Sequence, residues 1–251
     1  NPLPRAGESL AEIAAARLGY TLPMCGRYAL EAPRSQLCHR FALMECADFA
    51  ARYNMAPASD VPVIRQSPNR QRVLHLLRWG LLPHWASDPT IGSRLINARG
   101  ESVGEKPSFR DAFRRRRCLI PASGFYEWQA VRATQTRPAK QPWYVSLKSG
   151  ETMAFGGLWE SWTSPSGEII RSCCIITTEA NELVRPIHGR MPLILAPEHW
   201  PAWLAAPPEQ GGALLLPYPD GELQAWPVSS RVGKPDADDR QLIAALPGEP
   251  P

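Results

Sequence analysis

The chain has no run of about 18 consecutive apolar residues, so no membrane-spanning helix is expected. No heptad pattern is sustained either, which removes a coiled-coil dimer and leaves a monomer as the expected state. Among its six cysteines there is no CxxC pair. Cys38 with Cys46, and the adjacent Cys173 and Cys174, lack the spacing of a zinc site, and His39 and His75 do not complete one; neither metal nor cofactor is predicted. The first 23 residues lack a basic segment leading into an unbroken apolar stretch, since Glu12 and Arg17 interrupt it, and so do not read as a secretory signal. Cysteines without export predict reduced thiols and a cytoplasmic protein. Cys118, Cys173 and Cys174 lie in apolar runs and read as small buried hydrophobes.

What is present is enough for one substantial domain. The 251 residues are 44% hydrophobic, and 27 prolines divide them into short elements with no internal repeat and no long central linker. Leu37, Phe41 and Met44 recur at helical spacing after Pro33, predicting a helix over 33–46. Strands are expected at 73–79, 118–121, 143–147, 153–159 and 169–177, each bounded by Gly, Pro or Ser. A helix near 107–116 and a short one after Pro197, with Trp200, Trp203 and Leu204 on one face, complete the reading. With no regular βαβ repeat, the fold class is α+β: a largely antiparallel, barrel-like sheet flanked by short helices. Residues 1–23 are read as an extension outside the mature protein, 24–235 as the working domain, and 236–251 as a tail forming a surface helix followed by disorder. The net charge of +4 is modest, but Arg110, Arg114, Arg115, Arg116 and Arg117 form a basic block. Arg27, Arg94, Arg99, Arg185 and Arg190 add to it along the chain, and such clustering is compatible with nucleic acid.

Four segments combine polar groups with glycine and aromatic residues. In Met24-Cys25-Gly26-Arg27-Tyr28, a start at Met24 followed by methionine removal leaves Cys25 as the N-terminus, with an amine and a thiol on one carbon. Such an aminothiol condenses with an aldehyde to an imine and then closes to a thiazolidine. While a residue precedes Cys25, its nitrogen is an amide and cannot do so. The free amine, with an ordinary pKa of about 7.7–8.0, needs a base nearby. The second segment is Leu95-Ile96-Asn97-Ala98-Arg99-Gly100-Glu101. The third, Ser123-Gly124-Phe125-Tyr126-Glu127-Trp128, sets a carboxylate between aromatics at a strand end, where burial raises its pKa toward the range useful for proton transfer; a solvated strand-end glutamate is the alternative. The fourth, Ile187-His188-Gly189-Arg190-Met191-Pro192, carries a histidine on a loop, as a proton donor and acceptor or as a structural ring.

Together these segments resemble the SOS-response-associated peptidase (SRAP) family, abasic-site processing proteins that cross-link themselves to single-stranded DNA. The likeness also takes in Arg52-Tyr53-Asn54-Met55-Ala56-Pro57 and Trp79-Gly80-Leu81-Leu82-Pro83, and runs from about Met24 to Pro227-Val228-Ser229. The resemblance implies that Cys25 forms a thiazolidine with the aldehyde of an abasic site and that Asn97 positions cysteine and sugar. Glu127 would move protons, also during a lyase elimination, and His188 would assist sugar ring opening. It implies DNA contacts through Arg27, Arg99, Arg110, Thr177 and Arg190, with Trp85 and Pro57 as a stacking wedge. Single-stranded DNA carrying abasic sites is the expected partner. Two other readings stay open: a thiol peptidase using Cys25, His188 and Asn97, which includes removal of its own leader, and a non-covalent reader of modified bases.

Overall fold

The computed structural model describes residues 25–131 and 139–248. The extension at 1–23, Met24 and the last three residues of the tail lie outside the described residues. Strands β1 (Arg27–Leu30), β2 (Leu43–Cys46), β3 (Arg52–Met55), β4 (Asp60–Gln66), β5 (Arg72–Trp79) and β6 (Asn97–Arg99) occupy the first part. They are followed by β7 (Arg117–Ala122), β8 (Gly124–Val131), β9 (Ala139–Leu147), β10 (Met153–Thr163), β11 (Ile169–Glu179), β12 (Arg190–Pro192) and β13 (Leu223–Pro227). The helices are short: α1 (Arg34–Arg40), α2 (Arg110–Arg115), α3 (Trp200–Ala205) and α4 (Pro208–Gly212). This is the expected α+β class.

The larger sheet closes on itself. Strands β11, β10, β7, β4 and β5 pair antiparallel in that order, and β5 returns to β11 through a parallel join at Ser172↔Arg78 and Cys173↔Trp79. The result is a five-stranded mixed barrel, with β12 and β6 added along β11 and β2 along β5. Closure needs small residues where strands crowd: a Cβ on Gly157 of β10 would stand 2.8 Å from the Cys174 carbonyl oxygen. Tyr28 fills the interior edge-on to Trp79 and Phe155, with ring centroids 5.4 and 5.8 Å away. A second sheet, ordered β13-β9-β8-β1-β3, packs beside the barrel. Alternation along β8 divides its side chains, Phe125 entering the main core and Tyr126 a smaller cluster with Tyr144, Trp226, Val232 and Leu242.

Several expectations need correction. The helix ends at Arg40 instead of running to 46, because Ala42 adopts a left-handed φ of 49° and Leu43–Cys46 turns into a strand beside β5. Leu37 and Phe41 reach the core, whereas Met44 is 69% exposed, so the helical spacing held for only one turn. The arginine block is not one solvated patch. Arg117 is buried and donates to the carbonyls of Trp203, Phe113 and Ala206, while Arg116 pairs with Glu160 at 2.6 Å. Nor does the tail form a surface helix. The Asp238 carboxylate accepts from Arg52 and from the main-chain N–H groups of Tyr53 and Asn54, and Leu242, in a 3-10 turn, is fully buried.

Candidate active site

Cys25 immediately precedes β1 and is buried, with a left-handed φ of 40° that a non-glycine residue seldom adopts. Glu127 holds it there. Strand β8 pairs with β1 at Arg27↔Tyr126 and Tyr28↔Phe125, and this antiparallel register carries Glu127 opposite Gly26, one residue from the cysteine. Both the Cys25 main-chain N–H, at 2.8 Å, and its thiol, at 2.9 Å, donate to Glu127 Oε1. On the other side of β8, Gly124 makes room for β9: a Cβ there would lie 2.3 Å from the Tyr144 ring. Glu127 lies in mid-strand, since β8 continues to Val131, and it is buried, which corrects both the strand-end placement and the solvated alternative.

His188 arrives from the other side. Asn181 braces its loop, accepting from Val184 N–H and donating to the Tyr218 carbonyl, and the His188 N–H then bonds the Val184 carbonyl at 2.9 Å. Its Nδ1 stands 4.0 Å from Glu127 Oε1 and accepts from the Arg190 main-chain N–H at 3.1 Å. The same Nδ1 lies 3.2 Å from the Arg190 carbonyl oxygen, to which it donates in the other tautomer.

Burial sets the electrostatics. It pushes the Glu127 carboxyl up from its ordinary value, against the opposing effects of His188, the Cys25 donors and the Trp128 main-chain N–H. Burial also pushes the Cys25 thiol well up; the Glu127 charge and hydrogen bond add to this, and Arg190 opposes it. The sulfur therefore holds its proton as a donor to the carboxylate. It is not the thiolate of a Cys-His pair.

A cleft of about 450 Å³ opens over this cluster, lined by Gly26, Arg27, Pro57, Glu127, Trp128, Lys140, His188 and Gly233. Arg27 reaches it from β1 with one Nη1 donating to Asn54 Oδ1 at 2.8 Å. Asn54, nearly fully buried, binds the carbonyls of Val232, Lys234 and Ala237 in turn, so the chain leading into the tail forms part of one wall. Asn97 and Arg99 lie on β6, in parallel register with Ile175 and Thr177 of β11. Thr177 is fully buried and presents no surface; its carbonyl and hydroxyl accept from Arg190 Nη2 at 2.6 and 3.3 Å. Arg99 and Arg110 are exposed, and Trp85 is 50% exposed. Sequence reasoning missed Lys140 and the wall-building role of Asn54, although Asn54 sits inside a motif it singled out.

Fold and site together define a β-barrel protein in which a buried thiol and its own main-chain nitrogen share one carboxylate. The family model described as SOS response associated peptidase (SRAP) matches residues 24–235. The chain belongs to that family. It is 39% identical over 228 residues to a Bacillus subtilis protein named abasic site processing protein YoaM, covering 88% of this chain and 98% of that one. The rat protein named abasic site processing protein HMCES is 29% identical over 219 residues, 68% of this chain and 61% of its own. A crystal structure from Bacteroides thetaiotaomicron superposes with a TM-score of 0.77 at 24% identity over 88% of this chain and all of the other, a likeness of fold.

Proposed function

We propose that this protein processes abasic sites in single-stranded DNA, forming a thiazolidine between the sugar aldehyde and an N-terminal Cys25 and so shielding the lesion during the response to DNA damage. One observation carries the reading: the nitrogen and the sulfur of Cys25 both lie within 3 Å of a single oxygen, Glu127 Oε1, at 2.8 and 2.9 Å. These are the two atoms through which a thiazolidine forms. The relatives named for abasic site processing add support.

The free amine attacks C1′ of the ring-opened sugar, forming the C–N bond of a carbinolamine. Glu127 accepts the proton released from nitrogen and returns one to the hydroxyl, which leaves as water to give the imine. Sulfur then adds to the imine carbon and its proton passes to nitrogen, so the overall change is the loss of one water. A carboxylate whose pKa is raised by burial suits an exchange of protons near neutrality. His188 assists ring opening from the opposite side of the carboxylate, and Asn97 orients sugar and cysteine from β6. Glu127 also serves as base for elimination from the imine, a lyase step. The DNA runs past Arg27, Pro57, Trp85, Arg99 and Arg110, with Thr177 acting through Arg190.

All of this requires that the peptide bond before Cys25 be cut, and self-processing at this site is part of the proposal. Peptidase action on other proteins is disfavoured, because the thiol donates to Glu127 and not to His188. The test is intact mass spectrometry after mixing with an oligonucleotide bearing one abasic site. A species beginning at Cys25 should gain the oligonucleotide mass less one water, and the form retaining residues 1–24 should not react. A Cys25→Ser variant should yield only an adduct that needs borohydride to be trapped. A protein that begins at Cys25 and binds the strand without mass gain would be a reader instead.

A further inference from the structure

The segment Asn97-Ala98-Arg99-Gly100-Glu101 ends in a carboxylate that the reaction above does not use. Glu101 sits in the 3-10 turn Gly100–Ser102 directly after β6. Its two oxygens accept from Arg190 Nη1 at 2.5 Å and Nη2 at 3.0 Å, gripping the end of the guanidinium as a fork. The same Nη2 donates to the Thr177 carbonyl at 2.6 Å. Arg190 is thus held by the strands β11 and β12 and by the turn after β6. Its Nε–H is buried and makes no hydrogen bond among the described residues.

Two consequences follow from this grip. An arginine whose end edge is taken by a carboxylate does not offer that edge to a phosphate, so the double contact expected of a backbone-binding arginine is already used within the protein. Arg190 also adjoins the Cys25 centre: its main-chain N–H donates to His188 Nδ1 at 3.1 Å, which stands 4.0 Å from the Glu127 oxygen that holds the cysteine, and its charge opposes the upward push on the thiol. A pair whose carboxylate is 52% exposed adds little to stability. Its worth lies in where it puts the cation.

We propose that Glu101 is a positioning residue of the Cys25 centre: by occupying the end of the Arg190 guanidinium it holds that cation against Thr177 and beside Cys25. The functional consequence rests on the crosslinking reading; the placement of Arg190 does not.

The test uses the full chain with Glu101→Ala, Glu101→Gln, Glu101→Asp, Arg190→Ala and the Glu101→Ala/Arg190→Ala double variant. In the free protein, the 15Nε–1Hε resonance of Arg190, assigned by its loss in Arg190→Ala, should report a rigid side chain that becomes mobile in Glu101→Ala and Glu101→Gln. With saturating abasic oligonucleotide, the single-turnover crosslinking rate should fall about tenfold in Glu101→Ala, the scale on which a misplaced group acts. The Kd for the undamaged strand should change less than the rate. Glu101→Asp should recover part of the rate, and the double variant should be no slower than Arg190→Ala alone. An Arg190 side chain equally rigid without Glu101, or additive losses in the double variant, would overturn the proposal. So would faster crosslinking or tighter DNA binding in Glu101→Ala, which would make the carboxylate a restraint on a DNA-binding arginine. If the wild type forms no crosslink, the crosslinking reading fails while the resonance still decides whether Glu101 places Arg190.

Discussion

Among the described residues two glutamates are buried in the sheets, and they are kept for opposite ends. Glu160 on β10 is 4% exposed and has a guanidinium, Arg116 Nη2 at 2.6 Å, with His84 Nδ1 at 3.5 Å and the Ser161 N–H at 2.9 Å. Glu127 on β8 is 2% exposed and, among the described residues, has no guanidinium. Its partners are the nitrogen of Cys25, uncharged while it is an amide, the Cys25 thiol and the Trp128 N–H, with an imidazole at 4.0 Å. A buried carboxylate given a full counter-charge is fixed as an ion pair. One given only weak donors carries an unrelieved cost of burial, and that cost makes it exchange protons easily. Burial alone therefore does not mark a functional carboxylate; withholding the cation does.

The comparison breaks most visibly in rate. Glu127→Gln should lower the single-turnover crosslinking rate by about 10²- to 10⁴-fold, the usual worth of a placed acid-base group. Glu160→Gln should leave it within about twofold, since Glu160 and its partners line a different cleft from that over Cys25. Equal losses in the two variants would mean that the contrast between the sites is structural only. Stability should invert the order. Glu160→Gln leaves the Arg116 guanidinium an oxygen but removes its counter-charge, and should cost about 1–3 kcal/mol in urea unfolding, the range of a charge-assisted hydrogen bond. Glu127→Gln keeps an oxygen for the Cys25 donors and should not destabilise at neutral pH.

The contrast was half legible in the sequence. Glu127, His188 and Cys25 stand out as polar residues set among glycines and aromatics, and their convergence on one site was what the family resemblance implied. Burial of Glu127 was not legible, because it depends on β1 crossing β8 at Arg27↔Tyr126. Glu160 was not singled out at all, since Trp159-Glu160-Ser161-Trp162 reads as an ordinary strand with one charge on its wet face; the partner that buries it lies 44 residues away. The barrel class was readable from its short strands, but its closing joint was not. The parallel contact of β5 with β11 pairs residues almost a hundred positions apart, and no local periodicity reports it. The same holds for the tail, where three main-chain and side-chain donors from β3 secure Asp238. An acidic, proline-rich composition predicts exposure until a receptor for the acid is known.

The smallest expected effect is the most direct measure of the withheld cation. In the form that keeps the peptide bond before Cys25, Glu127 is held above the ordinary carboxyl value of 4.5 in the folded protein, so the native state binds the proton more tightly than the unfolded chain does. Unfolding is then increasingly favoured as pH rises from about 4.5 through the raised folded value, at a slope set by one proton. A glutamine at this position exchanges none. The difference in Tm between Glu127→Gln and wild type should therefore grow from pH 4 to pH 8, the variant gaining about 2–4 °C for each kcal/mol of burial cost removed. Thermal unfolding of the two proteins across that range decides the matter. A flat difference for Glu127→Gln would mean that Cys25 and His188 stabilise the carboxylate as fully as a guanidinium does, and the two glutamates would then differ in neighbours but not in kind.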